Sequence, residues 1–204
     1  MVTLWATGDL ENWQAALDRY DVVVAAQGVA SLPGHDAWYR DELPASIAAR
    51  REPHITHAEL VRVTEWKMSR GVWRARNLAL VRANAAALVV ETSTDALGMV
   101  PDPAAPIATL AELAGVGPAT ASAVAAAAHP EVYPFFDELV GAQVPRLGTL
   151  AFTLGYYKRY AAALRERAAM LGHRWTPVMV ERALWAHVGG KAGLTPKASN
   201  KKGR

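Results

Sequence analysis

The chain has no cysteine. That absence excludes a disulfide-stapled scaffold, a thiolate zinc site and a cysteine-ligated iron–sulfur cluster. It also lacks an apolar run of membrane length, and Asp9 and Glu11 interrupt the first turns. Neither a spanning helix nor a secretory leader is therefore expected, and the chain reads as cytoplasmic and monomeric. There is no Walker loop, no dinucleotide fingerprint and no Gly-x-Ser-x-Gly elbow. Lysine is scarce as well: before residue 189 only Lys67 and Lys158 occur. His54 and His57 are three apart, but no carboxylate cluster accompanies them, so no metal is expected.

What is present points to a packed helical protein. Of 204 residues, 51% are hydrophobic and seven are tryptophan, enough for a sizeable core. Residues 1–188 read as a single domain. Residues 189–204, "GGKAGLTPKASNKKGR", hold five basic residues and no acid, and read as a disordered basic tail that is either solubilising or weakly attracted to nucleic acid. Without it the body is slightly acidic, despite a whole-chain charge of +3. A polyanion would have to be gripped by a local patch.

The periodicity is helical nearly throughout and predicts an all-α fold of roughly nine to eleven helices. The one strand-like stretch, "YDVVVAAQGVA", has no partner strand and reads better as a buried helix. "SLPGHDAWYRDELP" reads as a loop with one helical turn near Trp38. Thr56 and Glu59 form a capping box at the head of a helix that Gly71 breaks. Two helices should follow, over about 73–84 and 85–97. "PDPAAP" at 101–106 reads as a rigid linker without helix, and "TLAE" at 109–112 as a second capping box. Pro118 suits the first turn of a helix running to about Ala128, which His129-Pro130 stops. Another helix is expected to begin at Asp137, followed by a long amphipathic one and a last one opened by Thr176-Pro177.

Two stretches carry chemistry. In "LAELAGVGPATASAV" two helices are joined by a tight glycine turn. Its loop amides and the start of the second helix can bind an anion. In "TEWKMSRGVWRARNLALVRAN", Lys67, Arg70, Arg74, Arg76 and Arg82 are interleaved with Trp66 and Trp73. Such a patch can grip phosphates and stack on an unpaired base. The plainer alternatives are an ordinary helical hairpin, and a solvated basic face with its tryptophans in the core.

The hairpin, hydrophobic-x-Gly-hydrophobic-Gly-x-x-Thr-Ala, resembles the helix-hairpin-helix motif, and the chain over 55–188 is similar to the helix-hairpin-helix (HhH-GPD) DNA glycosylase superfamily. In that family a catalytic aspartate lies eighteen residues after a signature position, which here is Ala119; Asp137 stands there. The resemblance implies a two-lobed helical glycosylase fold in a branch without an iron–sulfur cluster. It implies double-stranded DNA as partner and no cofactor beyond an alkali cation at the hairpin loop. Gly115, Val116, Gly117, Ala119 and Thr120 would grip DNA. Lys67, Arg70, Arg74 and Arg76 would contact it from the basic helices. Trp66, Tyr133, Phe135 and Phe136 would wall the pocket for a flipped base. Asp137, with Glu138 sharing or replacing its role, would stabilise the positive sugar and activate water. Bifunctional relatives carry a lysine at the signature position; Ala119 implies a monofunctional enzyme using water. The usual Asp-Thr-His-Val after the loop is replaced by "DELV". A non-catalytic DNA-binding module, or an interaction protein keeping only the fold, are the competing expectations.

Overall fold

The computed structural model describes residues 3–193. Among them there are twelve α-helices, a 3-10 turn (Leu4–Ala6), a π-helical turn (Trp38–Glu42) and no strand, so the fold is all-α. The helices are α1 (Leu10–Asp18), α2 (Tyr20–Ala25), α3 (Leu32–Ala37), α4 (Leu43–Ala48), α5 (His57–Arg70), α6 (Ala75–Arg82), α7 (Ala86–Gly98), α8 (Ala105–Leu110), α9 (Pro118–Ala128), α10 (Glu138–Gly141), α11 (Leu154–Leu171) and α12 (Pro177–His187).

Local chemistry explains most boundaries. Asp9, Thr56, Thr153 and Thr176 each accept an amide hydrogen from the first turn of the following helix, and at α5 the reciprocal Glu59 bond completes the capping box. Two expectations fail for identifiable reasons. "SLPGHDAWYRDELP" is helical throughout, because Pro33 and Pro44 both lie in first turns, where a missing N–H costs nothing. "PDPAAP" contains the start of α8 rather than a linker: Asp102 Oδ1 accepts from the amides of Ala104 and Ala105 and nucleates the turn. Thr109 therefore falls in the last turn of α8 and caps nothing, and no second capping box forms.

Two helices organise the interior. In α9 the run Thr120–Ala127 is wholly buried, which a helix can achieve only when it is apolar all round and its side chains are small. It packs against α4, α5 and α8. The second, α12, packs against α1, α2, α10 and α11. The buried side chains form one continuous core. Residues 189–193 of the expected tail are part of this body. Gly189 and Gly190 are buried, Gln27 bonds the Gly189 carbonyl and the Ala192 amide, and Lys191 pairs with Glu138 at 3.0 Å. The remainder of that tail, 194–204, lies outside the described residues.

Candidate active-site cleft

A small cleft of about 80 Å³ opens where four segments meet: the end of α5 and the turn after it, the start of α9, the loop into α10, and the loop before α11. Lys67, Gly71, Val72, Arg74, Ala119, Phe135, Phe136, Asp137, Glu138 and Phe152 line it. A shallower groove of about 320 Å³ adjoins it, sharing Lys67, Arg74, Ala119 and Phe152 and adding Asn77, Gly117, Pro118 and Thr120. The hairpin turn and Asp137 thus border one continuous depression.

The loop carrying Asp137 is held from behind by tyrosines. Tyr157 and Tyr160 of α11 donate to the carbonyls of Pro134 and Phe135, at 3.2 and 2.7 Å. Tyr133 donates to the Asp102 carbonyl at 2.7 Å, and the Phe136 amide donates to Ser122 Oγ on α9 at 2.9 Å. With its backbone so anchored, Asp137 is the N-cap of α10. Its Oδ1 accepts from the amides of Leu139 (2.8 Å) and Val140 (3.4 Å). Its Oδ2 meets Arg70 Nη2 at 3.4 Å.

Arg70 is the centre of a buried charge network. It is 2% exposed, enclosed by the rings of Trp185, Phe135, Trp66 and Tyr20. Its Nη2 donates to Glu181 of α12 at 2.6 Å, and its Nη1 to the Tyr20 hydroxyl at 3.2 Å. Tyr20 Oη and Trp66 Nε1 both donate to Asp36 Oδ1, and Arg40 pairs with Asp36 Oδ2 at 2.9 Å. Burial opposes charging Arg70, but Glu181, Tyr20, Asp137 and Asp36 more than offset it and hold the guanidinium charged. Burial pushes Glu181 up to about 7 although Arg70 pulls it down. Burial likewise raises Asp137, against Arg70 and the Leu139 and Val140 amides. One guanidinium between two buried carboxylates cannot fully neutralise both, so the pair holds on to a proton.

Several expected positions are thereby corrected. Arg70 cannot reach DNA: it continues the inward face of α5 and is consumed by Glu181 and Asp137. Trp66 is 1% exposed and stacked on Tyr39 at 3.6 Å, so it belongs to the core rather than to a base pocket. Tyr133 is fully buried behind the loop. Val116 is also a core residue.

Phe135 and Phe136 do line the cleft, with Lys67 and Arg74; Arg76 is exposed but borders neither cavity. The two hairpin glycines divide their work. Gly115 has φ +76°, and a Cβ there would lie 2.5 Å from the Asn77 carbonyl oxygen, so it is required for packing on α6. Gly117 borders the groove, and a Cβ there would meet nothing. No side chain caps α9, which leaves the Ala119 and Thr120 end of that helix available to an anion. Glu138 sits at the cleft mouth, partly exposed and paired with Lys191.

The sequence reading missed Glu181, Asp36, Asn77 and Phe152. Glu181 interrupts an otherwise inward face containing Val178, Leu184 and Trp185, and that spacing was the available signal. No family model, no curated protein and no solved structure matches the chain.

Proposed function

We propose that the chain is a DNA base-excision N-glycosylase of the helix-hairpin-helix type, hydrolysing the glycosidic bond of a flipped, damaged or modified base in double-stranded DNA. The observation that carries this reading is the shared depression: the start of α9, with Gly117, Ala119 and Thr120, and the anchored carboxylate of Asp137 border the same connected cavities. In this reading a DNA phosphate sits at the α9 N-terminus, with or without an alkali cation in the turn. Lys67, Arg74 and Asn77 flank the strand. Phe135 and Phe136 form part of an apolar wall against the extruded base. The grouping of α9 with α4, α5 and α8, and of α12 with α1, α2, α10 and α11, supports a two-lobed arrangement around the cleft.

Breaking the N-glycosidic bond builds positive charge on the sugar, and a fixed carboxylate beside that carbon lowers the barrier. Asp137 Oδ1 is committed to two amides, whereas Oδ2 has only the long Arg70 contact and is the freer oxygen for sugar or water. Arg70 and the two amides oppose the effect of burial and favour the ionised form that this role needs. The test is release of base from duplexes carrying a panel of lesions, scored by alkaline cleavage. Wild type should open at least one lesion duplex and Asp137→Asn none. Identical behaviour of the two on every lesion, with binding retained, would sink the catalytic role. One observation favours a second reading, a non-catalytic DNA-binding module: both oxygens of Asp137 already have partners within the protein.

A further inference from the structure

The cleft contains an amine that base hydrolysis does not use. Lys67 lies on the last turns of α5 between the buried side chains of Trp66 and Met68, and it lines both the cleft and the adjoining groove. The two carboxylates that share the cleft are occupied elsewhere, Asp137 with Arg70 and Glu138 with Lys191. Its nearest charged influence is another cation, Arg74, on the turn that follows. A desolvated lysine beside a second cation is the environment that makes an amine nucleophilic toward a carbonyl carbon.

We propose that Lys67 carries out a second reaction in this cleft, forming a Schiff base with the C1′ aldehyde of an abasic deoxyribose and so promoting loss of the 3′ phosphate. This rests on the glycosylase reading, since base release generates that aldehyde. The neutral amine adds to C1′ to give a carbinolamine, which expels water to leave an iminium. The iminium acidifies C2′; a carboxylate at the cleft (Asp137 or Glu138) or water takes the C2′ proton. The C3′–O bond then breaks, and the electron pair departs with the phosphate. Water hydrolyses the imine and returns the amine. No oxidant or reductant is consumed. The amine would come from α5, whereas the hairpin position beside it is Ala119. The strand would therefore be nicked by a chain whose hairpin carries no lysine.

The amine must be neutral to attack. Burial, and then Arg74, lowers Lys67 to about 8. The other charged groups at the cleft are Asp137 and Glu138 at the head of α10, Arg70 behind Asp137, and Lys191 beside Glu138. Imine formation should therefore climb with pH through about 8.

The experiment uses the full chain and a duplex with one abasic site, incubated with borohydride to reduce any imine to a stable secondary amine. The expected result is a covalent protein–DNA adduct mapped by peptide mass spectrometry to Lys67. Lys67→Arg, which keeps the cation and the stem, should lose the adduct while retaining the fold and the affinity for the abasic duplex. Lys67→Gln serves as a second variant. An adduct on Lys158, Lys191 or the α-amine that survives Lys67→Arg overturns the proposal. So does binding of the abasic duplex without any adduct, even where Asp137-dependent base release is intact. An adduct on Lys67 without base release from any lesion would uphold the amine and reject the glycosylase reading. Absence of both DNA binding and base release would reject both.

Discussion

The inner and outer ends of the cleft hold their charges in opposite ways. At the inner end, Arg70 is enclosed by four aromatic rings and shared by Glu181 and Asp137. At the outer end, Lys67 and Arg74 border open space. Lys67 and Arg70 leave the same helix only three residues apart. The difference teaches that a basic cluster read from sequence is a mixture. A cation on the inward face becomes a structural hub, and one beside a solvent-filled depression stays free to meet a ligand.

The sharpest way to break this contrast is Arg70→Met. It would leave two buried carboxylates without their cation, and the expected loss is about 3–5 kcal/mol of stability, read from urea unfolding. Arg74→Ala should move stability by less than about 0.5 kcal/mol, yet weaken binding to duplex DNA and flatten its salt dependence. If the two variants destabilise equally, the distinction between inner and outer cations is wrong.

The pH dependence of stability isolates Glu181. Its folded pKa of about 7 lies above the ordinary 4.5, so the folded state holds the proton more tightly than the unfolded chain. That contribution is fully present below about 4.5 and is lost as pH rises through 7. Between those limits it amounts to something on the order of 3 kcal/mol. Glu181→Gln should abolish most of this slope, and an unchanged slope in urea titrations would remove Glu181 from the account.

Smaller effects separate the hairpin glycines. Gly115→Ala should destabilise by more than about 1 kcal/mol, because of both the positive φ and the 2.5 Å approach to the Asn77 oxygen. Gly117→Ala should cost less than about 1 kcal/mol, since its backbone is extended and the space is open. Its loss should appear in DNA affinity instead, measured by fluorescence anisotropy on a labelled duplex.

These differences follow what was legible in the sequence. Thr56 with Glu59 and Pro118 announced α5 and α9, because capping and first-turn proline are local effects. The spacing of Ala119 and Asp137 placed both on one cleft. Asp102 misled because its side chain begins α8 from two residues upstream of the first helical position, so Thr109 looked like a cap. Arg70 misled for another reason. Leu60, Val63 and Trp66 mark the inward stripe of α5, and Arg70 continues it, so the period already pointed inside. What overruled that reading was the expectation that arginine faces water. Its partner Glu181 comes from α12, and no local pattern announces such a pairing.

The Glu181–Arg70–Asp137 chain also has a consequence for the order of assembly. The carboxylate at the cleft is positioned by α10 and α11, but its counter-charge is shared with α12, which enters last among the described helices. Until α12 docks, Arg70 has lost its closest carboxylate, and the cleft, though outlined by the other helices, lacks its final electrostatic setting. The site is thus completed by the same event that closes the core, so a partly folded chain that engaged a polyanion through the hairpin would do so before its carboxylate had been set for chemistry.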